Sequence, residues 1–168
     1  YITIEAPNMT VSEEDYQIAI AEELAMYLKE LLKLEKRDYT VLVVGLGNRD
    51  VTPDALGPQV VEELQVTRHI IKEYGKYAMD DKEAHMVSAI SPGVMAQTGM
   101  ETSEIVKGIV QEIKPDFVIA IDALAARNTK RLNRTIQVAD TGINPGSGVG
   151  NHRAGITKET VFLVLLTL

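Results

Sequence analysis

Two aspartates stand out for the chemistry their positions allow. Asp54 lies in the segment Val41–Pro58, where the apolar run Val41–Val44 leads into Gly45, Leu46, Gly47 and Asn48 before the carboxylate is reached. Asp122 ends a second apolar run that begins at Phe117. An apolar strand followed directly by a carboxylate places that group at the C-terminal edge of an open α/β sheet, where such sheets hold their ligands. Two carboxylates at one edge can divide a task. Like charges close together cannot both ionise, so one keeps its proton while the other acts as a base. That pairing suits the activation of a water against a carbonyl group. Each aspartate also has a plainer reading. Asp54 can be a turn residue after Thr52 and Pro53, and Asp122 can cap a helix starting at Ala123.

Other side chains invite weaker readings. Gly45 and Gly47 permit a sharp turn or a close backbone approach. A phosphate cradle is disfavoured, because the third glycine of the dinucleotide fingerprint and the Walker lysine are both missing. Asn48 is better suited to orienting a carboxylate or a substrate amide. The glycine-rich stretch Gly142–Gly150 carries Ser147 and leads to Asn151 and His152. It can grip a substrate or simply connect elements. Ser147 has no nucleophile-elbow sequence around it, which argues against a serine hydrolase. Asp140 and His152 could join Asp54 and Asp122 around a metal, but no close histidine spacing supports this. No metal and no cofactor are therefore expected. His69 and His85 read as surface residues.

The elements that must position these groups follow from periodicity. Residues 2–5 alternate as a short strand. Thr10 to Glu13 has capping-box spacing, and Ile20, Leu24, Tyr27, Leu28, Leu31 and Leu34 then recur at helical intervals to about Lys36. A strand over 41–46 is followed by a helix from Leu56 or Pro58 through Val60, Val61, Leu64 and Ile70. Residues 74–85 read as a surface loop, 87–90 as a strand and 91–99 as a loop. Thr102 or Ser103 caps a helix that Lys114 and Pro115 end. A strand over 117–121, a helix from about Ala123 and a strand over 135–139 complete the pattern. The alternation predicts an α/β fold, a mostly parallel twisted sheet with helices on both faces.

Bulk properties narrow the partners. The 168 residues suit a single domain, 1–168. A net charge of −7 argues against nucleic acid, and Lys130, Arg131 and Arg134 read as a solvated helix face. The absence of cysteine excludes disulfides and thiolate metal sites and fits a reducing compartment. The N-terminal Tyr-Ile-Thr-Ile-Glu reads as a strand rather than a leader, and the closing run Val161–Leu168 is too short to cross a bilayer. No membrane association is expected. With no initiator methionine and an end inside an apolar run, the chain reads as a processed or partial polypeptide.

The blocks Val43–Asn48, Val51–Pro58, Val66–His69, Ser88–Met95, Gly99–Ser103, Lys114–Arg127 and Asp140–Asn151, in this order, closely resemble the spore germination proteases. These are endopeptidases that degrade small acid-soluble spore proteins when bacterial spores germinate. The resemblance implies a fold similar to the hydrogenase-maturation proteases and an atypical aspartic-type mechanism. Its proposed catalytic aspartates fall on Asp54 and Asp122, with Asn48, Ser147 and Asn151 placed to meet substrate. It further implies a zymogen shortened by self-cleavage, a homotetramer, and a cytoplasmic location in the spore core. The family is about twice as long, so this chain corresponds to its catalytic part without the propeptide and the C-terminal half, where another strand would follow Thr160. Two alternatives remain. One is a hydrogenase-maturation-type endopeptidase that recognises a metal centre, and the other is an inactive remnant acting only in assembly.

Overall fold

The structure, a computed structural model, describes residues 1–10, 13–34, 38–79, 84–125 and 132–140, and the backbone of 161–167. Its elements in chain order are β1 (Ile2–Glu5), α1 (Glu14–Leu32), β2 (Thr40–Gly45), a 3-10 turn (Thr52–Asp54), α2 (Leu56–Glu63) and α3 (Arg68–Tyr74). They continue with a second 3-10 turn (Lys76–Met79), β3 (Met86–Ile90), α4 (Met95–Thr98), α5 (Thr102–Ile113), β4 (Phe117–Leu124), β5 (Thr135–Ala139) and β6 (Val161–Thr167). Among the described residues six strands form one sheet in the order β1-β5-β6-β4-β2-β3. The pairs β2/β3, β2/β4 and β4/β6 are parallel. β5 runs against both β1 and β6. The sheet is thus mostly parallel, with β5 reversed.

Alternation along β2 assigns its two faces. Leu42, Val44 and Leu46 are buried with Val118 and Ala120 of β4, under Val106, Ile109, Val110 and Ile113 of α5. On the other face Tyr39, Val41 and Val43 meet Val61 and Leu64 at the end of α2, together with Leu34 just beyond α1. The continuous apolar run of β2 is explained by this double cover. Further along the sheet, Ile4, Ile136 and Val138 pack under Ile20, Leu24, Tyr27, Leu28 and Leu31. These are the residues whose spacing marks α1 as amphipathic.

Several local expectations are corrected. α1 begins at Glu14 with Glu13 as an uncapped N-terminal residue, so Thr10 does not open it. The single helix expected from Leu56 to Ile70 is two. Leu64 is extended (ψ 130°), and the Thr67 backbone N–H donates to Val87 O at 3.0 Å. The Thr67 hydroxyl donates to the His85 carbonyl and accepts the Val87 N–H at 2.9 Å. Three bonds to the start of β3 outweigh continuation of one helix. The loop expected over 74–85 contains the second 3-10 turn, and α4 interrupts the 91–99 loop. The cap of α5 is Glu101, whose N–H is accepted by Glu104 Oε2 at 3.0 Å, while Thr102 and Ser103 are buried in the first turn. No helix starts at Ala123, because β4 continues to Leu124, paired with β6 through Thr167. Lys130 and Arg131 lie outside the described residues, and Arg134 is exposed in the turn before β5. Among the described residues no helix is long and apolar enough to cross a membrane.

Candidate functional site

The C-terminal edge of β2 and β4 gathers the predicted residues through unusually close backbone packing. Gly45 is level with Ile121 in the β2/β4 register, and the Leu46 N–H continues the ladder to Ile121 O at 2.8 Å. The start of α2 presses onto this point. A Cβ on Gly57 would stand 2.4 Å from Leu46 O and 2.5 Å from Ile121 O, and one on Gly45 would stand 2.2 Å from Gly57 O. Only glycine fits where two backbones come this close. The start of α2, just after the 3-10 turn that ends at Asp54, therefore sits directly over the residue that precedes Asp122.

Asp54 ends that turn, with its N–H donating to Val51 O at 2.8 Å. Its Oδ2 accepts the Asn48 N–H, also at 2.8 Å. Gly47 makes the approach possible. It adopts φ +117°, and a Cβ there would lie 2.0 Å from Asp54 O. The Asn48 side chain is occupied at its acceptor end, where Oδ1 accepts the Asp50 N–H at 3.0 Å and Gln97 Nε2 at 3.1 Å. Its donor atom, Nδ2, is the part suited to meeting a carbonyl.

Asp122 follows Ile121 on β4, level with Leu165 of β6, and is half-buried. Burial pushes its carboxyl up from the usual 3.8 to about 6; the Ala123 N–H, donated to Oδ1 at 2.8 Å, opposes the rise, and the charge of Asp54 adds to it. The bond to the very next N–H is not a helix cap, which disposes of the plain reading of Asp122. Both carboxylates thus accept a backbone N–H, and Asp122 is pushed toward its neutral form by burial and by the charge of Asp54. This arrangement can place an ionised and a protonated carboxyl beside the same water.

The remaining expected participants divide. Ser147, Asn151 and His152 lie outside the described residues. Asp140 is exposed and belongs elsewhere. Because β5 is antiparallel, Ala139 pairs with Leu163, which pairs with Ala120. The chain therefore reaches Asp140 while running away from the aspartate edge, so it does not join a metal site there. Among the described residues no cluster of three or more His, Asp and Glu could hold a metal ion. His69 is exposed as expected. His85 is not a surface residue: it is half-buried, edge-on to Tyr39 with ring centroids 5.6 Å apart. It precedes β3 and so lies at the sheet end opposite the aspartates. Gln97 was not foreseen, since a lone glutamine in a loop has no periodic or motif signal. Only its contact across the fold reveals it.

The germination protease family model matches residues 1–168. The chain is 53% identical over 168 residues to the germination protease of Caldanaerobacter subterraneus subsp. tengcongensis, covering 100% of this chain and 51% of that protein. It is 48% identical over 172 residues to the germination protease of Bacillus subtilis, covering 100% of this chain and 46% of the relative. Identity to the Clostridium tetani germination protease is 46% over 168 residues, with 100% of this chain and 51% of the relative covered. The chain thus spans about half the length of the curated relatives it matches. A solved structure of a NiFe hydrogenase maturation protease, HycI, from Thermococcus kodakarensis aligns with a TM-score of 0.45 and 20% identity. That alignment covers 76% of this chain and 73% of the other.

Proposed function

Because the chain belongs to the germination protease family, we propose that it is the aspartate-bearing part of an endopeptidase that degrades small acid-soluble spore proteins during spore germination. What supports the mechanism is the placement of Asp54 and Asp122 at one sheet edge, each carboxylate taking a backbone N–H, with burial and the Asp54 charge pushing the Asp122 carboxyl up. In the reactive form Asp122 carries the proton, and Asp54 is the base. Water enters between them and gives a proton to Asp54 as its oxygen bonds to the peptide carbonyl carbon. Asp122 donates its proton toward the carbonyl oxygen, so negative charge does not accumulate there. Collapse of the tetrahedral species breaks the C–N bond: one hydroxyl proton returns to Asp122 as the C=O bond reforms, and the proton taken by Asp54 goes to the departing amine. Asn48 Nδ2 orients the substrate backbone, with Ser147 and Asn151 supplying further contacts from the glycine-rich stretch. The protein works as a homotetramer in the spore core and is made as a zymogen.

The test is cleavage of a purified small acid-soluble spore protein by the intact protein and by Asp54→Asn and Asp122→Asn, each with and without chelator. Loss of cleavage in both variants, with chelator harmless, is the expected result. Cleavage that survives both substitutions would remove the aspartates from the mechanism. Cleavage lost to chelator would make them metal ligands, and an intact oligomer that never cleaves would leave a purely structural role.

A further inference from the structure

The short helix α4, which follows β3, reaches the Asn48 turn through one side chain. Gln97 Nε2 donates to Asn48 Oδ1 at 3.1 Å, across 49 positions of sequence. That Oδ1 also accepts the Asp50 N–H at 3.0 Å, so the atom is an oxygen and the amide facing it must be turned to donate. The opposite end of the Gln97 amide is held as well, with Oε1 accepting the Val94 N–H at 3.4 Å. Gly93 leaves the room for this. It adopts φ +74°, and a Cβ there would stand 2.9 Å from Gln97 Oε1. Gln97 thus closes the capping box of α4 with Oε1 while Nε2 reaches Asn48, and its exposed side chain contributes nothing to the core. What the glutamine touches is the residue whose N–H donates to Asp54 Oδ2 at 2.8 Å.

We infer that Gln97 is a positioning residue for peptide cleavage, fixing the Asn48 turn and, through the Asn48 N–H, the direction of the Asp54 carboxylate. The inference rests on the assignment of Asp54 as the base. It acts in series: Gln97 holds the Asn48 side chain, the side chain fixes its own backbone amide, and the amide aims the carboxylate. A base aimed less well reacts less often in the bound complex, so the loss falls chiefly on kcat, with a smaller rise in KM where Asn48 Nδ2 meets the substrate. The net worth of one exposed neutral hydrogen bond sets the size at a roughly threefold to tenfold loss of kcat.

The experiment measures kcat and KM on a purified small acid-soluble spore protein for the intact protein and for Gln97→Ala, Gln97→Glu, Asn48→Ala and the Asn48→Ala/Gln97→Ala pair. Gln97→Glu keeps the shape but sets an acceptor against an acceptor, so it behaves like Gln97→Ala. The expected pattern is a loss in kcat larger than any rise in KM in both Gln97 variants, and a double variant no slower than Asn48→Ala alone. A rise in KM that matches or exceeds the loss in kcat, multiplicative losses in the double variant, or unchanged kinetics in Gln97→Ala would each overturn the inference. Asp54→Asn belongs in the same series. Its full activity would sink the assignment of the base, whereas an inactive Asp54→Asn beside an unimpaired Gln97→Ala would sink only the role given to Gln97.

Discussion

Gly57→Ala is expected to damage both stability and cleavage, because the packing at this residue has no slack. The added Cβ would lie 2.4 Å from Leu46 O, 2.5 Å from Leu46 N and 2.5 Å from Ile121 O. All three are backbone atoms of adjacent strands and cannot rotate away. Ordinary carbon contacts begin near 3.4 Å, so the start of α2 must withdraw by about 1 Å. Overpacking of this kind costs about 1–3 kcal/mol, and the rigidity of the contacting atoms places Gly57 in the upper half of that range. For a domain of this size that lowers the melting temperature by roughly 5–10 °C. The turn carrying Asp54 ends three residues earlier and moves with the helix. A displacement of about 1 Å between reacting groups costs on the order of a hundredfold in rate. Gly108→Ala is the matched control, since its Cβ would meet nothing within 4 Å on an exposed part of α5. It is expected to stabilise the protein by up to about 1 kcal/mol through helix propensity alone. Thermal unfolding and spore-protein cleavage on the two variants decide the matter. A Gly57→Ala protein that melts and cleaves like the parent would refute the claim that backbone contact at this point sets the site.

Two further outcomes follow from the same geometry. Asp122 has its proton affinity raised in the folded state, so its contribution to stability is complete below about pH 3.8 and is lost as pH rises through about 6. Asp122→Asn is therefore expected to unfold at higher denaturant than the parent at pH 7.5, by at most about 2 kcal/mol for this partly exposed group, with the gap closed at pH 4; a variant less stable at pH 7.5 would contradict this. Thr67→Val leaves the His85 carbonyl and the Val87 N–H without their hydroxyl partner and should cost about 1–3 kcal/mol in urea unfolding, whereas a cost near zero would show that those bonds do not hold α3 to β3.

What could be read from the sequence is what depends on local pattern. The unbroken apolar run Val41–Val44 announced a strand covered on both faces, and α5 and α2 cover it. The spacing from Ile20 to Leu31 announced the face of α1 that packs on β1 and β5. The position of Asp54 and Asp122 at one sheet edge was legible because two runs of strand type each lead to a carboxylate there. Long-range pairing was not legible. The reversal of β5 and the central place of β6 are set by ladders between residues far apart in sequence. Partnership with β6 also keeps Ala123 and Leu124 in a strand where the aspartate before them suggested a helix cap. The break between α2 and α3 has the same origin, since Thr67 is claimed by the start of β3. Gln97 shows the limit for the site itself, because what ties it to Asn48 is a hydrogen bond across 49 positions of sequence.

The central claim is that Asp54 and Asp122 lie close enough to share one proton, and a carboxyl titration tests it most directly. Carbon-13 NMR of aspartate side chains, followed from pH 3 to pH 9 in the parent and in Asp54→Asn, reads the Asp122 transition in both. The account predicts a midpoint near 6 in the parent and a lower one once the Asp54 charge is gone. A midpoint near 3.8 in the parent, or the same midpoint in both proteins, would contradict it.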